Sequence, residues 1–417
     1  MRNNFLILLI SIPLVQVLLD SIMILFPALK TSIGVFRLFS VILIIFVFIN
    51  NFNWFKTQLN RFILFYCFYI FILCFFSSDL SESIIDGFFK IFISLMMIPI
   101  GIYLGNNDKR ALIQMSFWLL LLLIVNYGFA QFLKIGNSLY DEDSFYSGGA
   151  AATTPIIIGL CIIVLMNGLN TNRLSYYNTL NLVIILFSIL IVILSLKRGA
   201  ILAMAAGILV YFLFSSIRSR FSLRVLFIGF GLLFLLIQFS STFNQRFDAR
   251  TTDRNSLENE NRFKETVYII NEIENANIIN LFFGREAFNS KTVLKKYFGK
   301  ERQLHIDYNI ILHGTGIIGI ILYFTIFLTL IFWSRNLKKE TTTFSVSSRA
   351  TLISNENHAT ILSLILLSLV MSFSGGLQFS SYRIILFLYI GYFMGQSEKL
   401  RDLTKHIWME NKLKLKQ

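Results

Sequence analysis

Imidazole and guanidinium groups stand where polar segments of this chain meet apolar ones: Arg198 in "SLKRGA", Arg262 at the head of "RFKETVYIINEI", and His305 in "RQLHIDYNIILHGTGIIGIILY". Imidazole is the side chain whose unperturbed pKa suits proton abstraction near neutral pH. Guanidinium presents a planar fork of donors that matches phosphate. Each position also has a plainer reading. A lone interfacial histidine is often structural, and Arg198 with Lys197 beside it reads equally as a helix-end cation reaching lipid headgroups. Arg262 is preceded by Asn259 and Asn261, either of which would cap a helix. A helix N-terminus with an arginine beside it suits an anion.

The remaining chemistry-bearing residues are read as structural or left open. His313 lies beside Gly314 and Gly316 and packs in a helix, while His358 and His406 fall in segments expected on the cytoplasmic side. No two histidines share metal-ligand spacing with a carboxylate, so no metal is expected. "GTGIIG" holds Gly314, Gly316 and Gly319, but it follows a loop rather than a strand, so close helix packing explains it better than a phosphate-binding turn. Asp141, Glu142 and Asp143 in "YDEDS" suit a cation, a sugar hydroxyl or simply a solvated turn.

The elements that must position these groups are membrane helices. The chain has 417 residues, 55% hydrophobic and 14% charged, with 44 phenylalanines, and its mean hydropathy is +0.68. A soluble surface cannot hide that much apolar area, so the composition predicts an all-α polytopic membrane protein. Short alternating strands, which a β-barrel would need, are missing. Cys67, Cys74 and Cys161 all fall in apolar spans and read as small buried hydrophobes. The first apolar stretch contains Asp20 and lacks a cleavage site, which predicts a retained helix rather than a signal peptide.

Hydropathy places about twelve spans, near residues 5–27, 34–49, 62–77, 88–105, 111–134, 149–167, 178–196, 199–216, 223–240, 309–333, 358–375 and 381–395. With the N-terminus inside, about nineteen lysines and arginines fall in inner segments against roughly six in short outer loops. The net charge of +14 is therefore topological, and nucleic acid is not an expected partner. Residues 396–417 form a basic cytoplasmic tail. Residues 241–308 form one long outer loop between the ninth and tenth helices, and long extramembrane loops in compact proteins are usually functional. Within it Phe263, Val267, Ile270 and Ile273 recur at helical spacing, which predicts a short amphipathic helix lying over the membrane domain.

Three patches, in order, resemble the superfamily of O-antigen polymerases and O-antigen ligases, Wzy-type and WaaL-type membrane glycosyltransferases of bacterial envelope polysaccharide assembly. "SLKRGA" is similar to the family's S-x-S-R-G-A segment, with Arg198 on the family arginine and Lys197 in place of a small hydroxyl residue. "NRFKETVYIINEIENANIINLFFGREAF" resembles the loop segment that opens with an arginine, runs as a helix and ends in "lfGxGf". Arg262 falls on the second arginine and Gly284 on the first glycine, while Glu286 replaces the second glycine and Thr266 a common aromatic. His305, Tyr308, Gly316 and Gly319 fit the family's His, aromatic and G-I-x-G spacing, with Ile306 in place of the usual Asn or Ser.

The resemblance implies a GT-C-like transferase, independent of metal and cofactor, whose donor is a polyprenyl-pyrophosphate-linked oligosaccharide at the outer face of the bacterial cytoplasmic membrane. By the same resemblance Arg198 and Arg262 bind the pyrophosphate and His305 deprotonates or orients the acceptor hydroxyl. Lys197, Arg285, Tyr308 and His313 are supporting candidates. The activity implied first is polymerisation of repeat units, beside membrane lipids, a flippase and a chain-length regulator as partners. Transfer to lipid A-core by a ligase is the alternative within the family. A polysaccharide flippase is a third reading, against which stand the long outer loop and the lack of a repeat between the two halves.

Overall fold

The computed structural model describes residues 2–51, 57–108, 110–135, 150–151, 153–171, 178–195, 197–216, 261–299, 304–345, 347–376 and 380–414. The span expected at 223–240, the acids 141–143 and the first part of the long loop lie outside the described residues. Each of the other expected spans falls on a helix. In chain order these are α1 (Arg2–Leu25), α2 (Lys30–Asn51), α3 (Gln58–Cys74), α4 (Phe89–Asn107), α5 (Ala111–Leu133), α6 (Thr154–Asn170), α7 (Asn178–Leu194) and α8 (Arg198–Phe214). Three shorter helices follow, α9 (Asn261–Glu274), α10 (Ile278–Phe283) and α11 (Lys291–Phe298). Then come α12 (Asp307–Phe344), α13 (Ser348–Ser372) and α14 (Ser380–Lys414).

Among the described residues six helical segments are long and apolar enough to cross a membrane, and four shorter apolar helices accompany them. Large apolar side chains such as Phe39, Phe46, Phe68, Trp118, Phe129 and Phe132 stay exposed on the outside of the bundle. Apolar surface of that extent is what lipid covers. The core is built on two helices buried on all sides: α6 along its whole length, and α14 from Ser381 to Ser397. A helix apolar all round has to be central.

The tightest seam joins α4 to α14. Gly101 and Gly105 on α4 face Gly391 and Gly395 on α14, and a Cβ on any of the four would run into the partner's backbone. Two small-x-x-x-small stretches that interdigitate in this way let main chains touch, which replaces the hydrophobic drive that lipid cannot supply.

Several expectations change. The basic segment from residue 396 onward continues the last apolar helix, since α14 runs on to Lys414. His358 is buried and its Nδ1 lies 2.7 Å from Ser334 Oγ, since α13 begins well before the apolar run that hydropathy marks. Its early turns are polar yet buried. Glu356 accepts from Tyr211, from Asn170 (3.1 Å) and from the Ser216 amide (3.0 Å), and Asn167 reaches Thr360 at 2.9 Å. The amphipathic helix exists as α9, but its inward face carries Glu265 and Ile269, while Val267 and Ile270 are 46% and 47% exposed. The glycines of "GTGIIG" do not pack a continuous helix: Gly316, at φ +66°, breaks α12 in two.

The α4–α14 seam gives a direct test. Gly391→Leu is expected to lower the thermal unfolding midpoint in detergent sharply, by the ~1–3 kcal/mol or more of an overpacked core. Gly34→Ala, where an added methyl meets nothing within 4 Å, is expected to leave it unchanged or raise it.

Candidate active site

The site is built where α9 meets the start of α12. Glu265 is fully buried, and both of its oxygens accept from one residue: the His305 amide at 3.1 Å and His305 Nδ1 at 3.0 Å. A carboxylate acceptor leaves the hydrogen on Nδ1 and the lone pair on Nε2. The His305 side chain is 44% exposed, so one edge of the ring is held by the protein and the other faces outward. One residue along α9, Thr266 Oγ1 accepts from Asn309 Nδ2 at 2.9 Å, so two successive bonds fix the helix pair.

Close packing at two glycines brings Arg198 to the same place. Its neighbour Gly199 packs against Ser374, and Gly375, at φ +86°, packs against the carbonyl of His305. Arg198 opens α8 as an exposed residue on that turn, with Lys197 as the N-cap. Burial lowers the Lys197 ammonium to about 8. Arg262 belongs to the first turn of α9, three residues before Glu265, which is roughly one helical turn or 4.5 Å of rise. The side chain of Arg262 lies outside the described residues. The backbone nevertheless gathers Arg198, Arg262 and His305, far apart in sequence, around one end of α12.

The supporting candidates divide. Tyr308 donates to the Leu369 carbonyl at 2.6 Å and stacks on Phe324, which makes it a strut between α12 and α13. Arg285 and His313 do not join the His305 pair. They line a separate cavity further along α12. Among the described residues no three His, Cys, Asp or Glu side chains lie together as a metal site.

Beneath His305 sits an ion pair that hydropathy gives no reason to expect. Asp307, fully buried, accepts from Arg383 on α14 at 2.6 Å and from the Gly376 amide at 2.7 Å. One carboxylate therefore ties together the start of α12, the turn after α13 and the central helix. Together with Glu265, these are the site's positioning residues that sequence reasoning misses. The trace each leaves is an acid next to a motif residue, three positions after Arg262 and two after His305.

The loop is also pinned by main chain. Phe282 to Gly284 cross Gly314 to Gly316 so closely that a Cβ on Gly284 or Gly316 would enter the opposing backbone, and both glycines have positive φ. The Arg285 amide donates to the His313 carbonyl at 2.7 Å across this joint. Glu286, where the resembling family has glycine, adopts φ +52°, a region glycine enters without strain. Its carboxylate is held there by Ser78 Oγ (2.7 Å) and the Ser78 amide (2.9 Å). Burial opposes the charge, but these donors, Ser77 and Arg285 outweigh it and keep the carboxyl below its ordinary range.

Comparison with protein-family models and with curated proteins finds no match to the chain.

The buried ion pair makes a stability prediction. Asp307→Ala strands Arg383 without its counter-charge and is expected to cost ~3–5 kcal/mol, read by denaturant or thermal unfolding in detergent. Replacing both partners by apolar residues of similar volume should recover much of that loss.

Proposed function

We propose that the protein is a polysaccharide polymerase of the bacterial envelope, joining polyprenyl-pyrophosphate-linked repeat units at the outer face of the cytoplasmic membrane. On this reading the chain crosses the membrane about twelve times with both termini inside, and residues 241–308 face outward. The observation that carries it is the Glu265–His305 pair, an imidazole oriented by a buried carboxylate, beside the helix end bearing Arg198 and one turn from Arg262. Support for the topology comes from the opposite end of the bundle. There Arg110, Arg349 and Lys399, all expected inside, line one common cavity.

The division of labour follows from the chemistry. The acceptor hydroxyl oxygen attacks the anomeric carbon of the donor sugar, and the bond from that carbon to the pyrophosphate oxygen breaks. His305 Nε2 takes the hydroxyl proton, a role Glu265 supports by fixing the tautomer and stabilising the imidazolium. The departing pyrophosphate carries the developing negative charge, which Arg198 and Arg262 offset in a site of low dielectric. No metal or cofactor enters this scheme, in keeping with the resemblance.

Deletion in the native host, with envelope glycans read on a gel, tests the assignment. Complementation by His305→Ala is expected to lower polymerisation ~10²–10⁴-fold, and Arg198→Ala or Arg262→Ala ~10²–10³-fold. Loss of the ladder with single units still attached to their acceptor fits a polymerase. Loss of every attached unit, with lipid-linked polymer accumulating, would show a ligase instead. Full activity in all three variants would sink the residue roles. Glu265→Gln should lower turnover with little change in KM and displace the pH profile, as a positioning residue does.

Lys197 adds a pH dependence. Its folded pKa, lowered to about 8, means that its charge is lost as pH rises through that value. Transfer rates in proteoliposomes are expected to fall above pH 8 in the wild type. Lys197→Arg, charged throughout, should flatten that limb; an unchanged limb would remove Lys197 from the anion site.

A further inference from the structure

From the His305–Glu265 pair, α9 and α12 run side by side toward a cavity of about 390 Å³. That volume falls within the ~300–1,000 Å³ of small-ligand sites. Its wall draws on four elements: Asn271 and Glu272 from α9, Asn280 from α10, Tyr297 from α11 and His313 from α12, with Arg285 beside them. His313 is only 5% exposed, and its Nε2 atom has no hydrogen-bond partner among the described residues. Buried polar atoms in native proteins are nearly always paired, so an imidazole nitrogen left over on a cavity wall marks a place for a ligand group.

The other groups are already fixed. Glu272 accepts from Tyr297 at 2.7 Å and from Lys296 at 3.0 Å, with Arg285 at 3.6 Å. The Tyr297 hydrogen bond chiefly, with Lys296 and Arg285, holds this carboxyl below its ordinary range against the effect of burial. Tyr297 is held flat against Tyr268, ring centroids 4.2 Å apart. The Asn280 main-chain amide donates to the Asn277 cap at 2.8 Å, which fixes the start of α10 on the cavity wall.

An anchored carboxylate, two amides that each pair a donor with an acceptor, an imidazole nitrogen and a phenol ring match a polyol whose oxygens both give and receive hydrogen bonds. A free phosphate fits less well, because Glu272 would repel it. We propose that this cavity is a saccharide subsite, holding a sugar residue remote from the bond being made through Glu272, Asn280 and His313. Glu272 follows Glu265 by seven residues on α9, about 10 Å of helical rise, so the sugar bound here is not the one under attack. Which glycan it takes rests on the transferase reading above; the pocket itself does not.

The test is saturation-transfer NMR on the full chain in nanodiscs. The probe is free oligosaccharide of one to three repeat units, released from the producing organism's surface polysaccharide, with inorganic phosphate as competitor. Transfer to sugar ring protons is expected in the wild type and in His305→Ala. Binding should weaken at least tenfold in His313→Leu and in Asn280→Leu, the second at a partly exposed position that leaves folding intact. No transfer in the wild type, undiminished binding in both variants, or displacement of the sugar by phosphate would each overturn the subsite. A normal glycan ladder from a protein that binds no free oligosaccharide removes the subsite and leaves the transferase. Conversely, full activity of His305→Ala alongside sugar binding lost in Asn280→Leu removes the transferase roles and leaves the subsite.

Discussion

A carboxylate shut away from water inside a bundle is costly unless every lone pair is met. Asp307 is met from two sides, by the guanidinium of Arg383 and by the amide of Gly376, and those contacts fix three elements relative to each other. The order of everything above follows from it. With α12 anchored at its first residue, His305 two positions earlier is held against Gly375. The same turn brings Ser374 to Gly199 and so sets the start of α8. His305 and Arg198 are exposed, whereas the Asp307–Arg383 pair beneath them is buried, so the groups that hold the helix ends are distinct from those that face outward.

The buried carboxylates do different jobs because their partners differ. Glu265 supports an imidazole that keeps one edge outside, so its charge remains coupled to a side chain able to exchange protons. Asp307 is matched to a guanidinium that never loses its proton, so it carries structure alone. Glu356 holds α6, α8 and α13 together through Asn170, Tyr211 and the Ser216 amide. A bundle that meets lipid on the outside gains little from burying apolar faces against each other, and such polar ties supply specificity in their place.

Hydropathy read the helices well and their ends poorly, for a physical reason. It located α1 to α8 because lipid contact and core contact both demand apolar side chains. It started α13 too late, because Glu356 and Asn357 are polar yet buried and satisfied by neighbours that a linear window cannot see. In the same way it turned α9 the wrong way round: periodicity put Val267 and Ile270 inward, whereas the Glu265–His305 bond sets the helix's rotation. The gathering of Arg198, Arg262 and His305 was legible only as an ordered set of motifs. Glu265, Arg383 and the glycine seam between α4 and α14 depend on partners far away in the chain, although the two glycine spacings themselves are written in the sequence.

The joint between residues 282–284 and 314–316 is made almost wholly of main chain. Such a joint asks nothing of side chains except that two of them be missing, so the helices it carries are free to change their surfaces while their docking stays the same. The walls of the cavity between α9, α10 and α11 can therefore drift under selection, one amide or hydroxyl at a time, without moving the histidine. A scaffold with that property lends itself to diversification: new surface chemistries can be tried out on a mount that does not need to be reinvented for each.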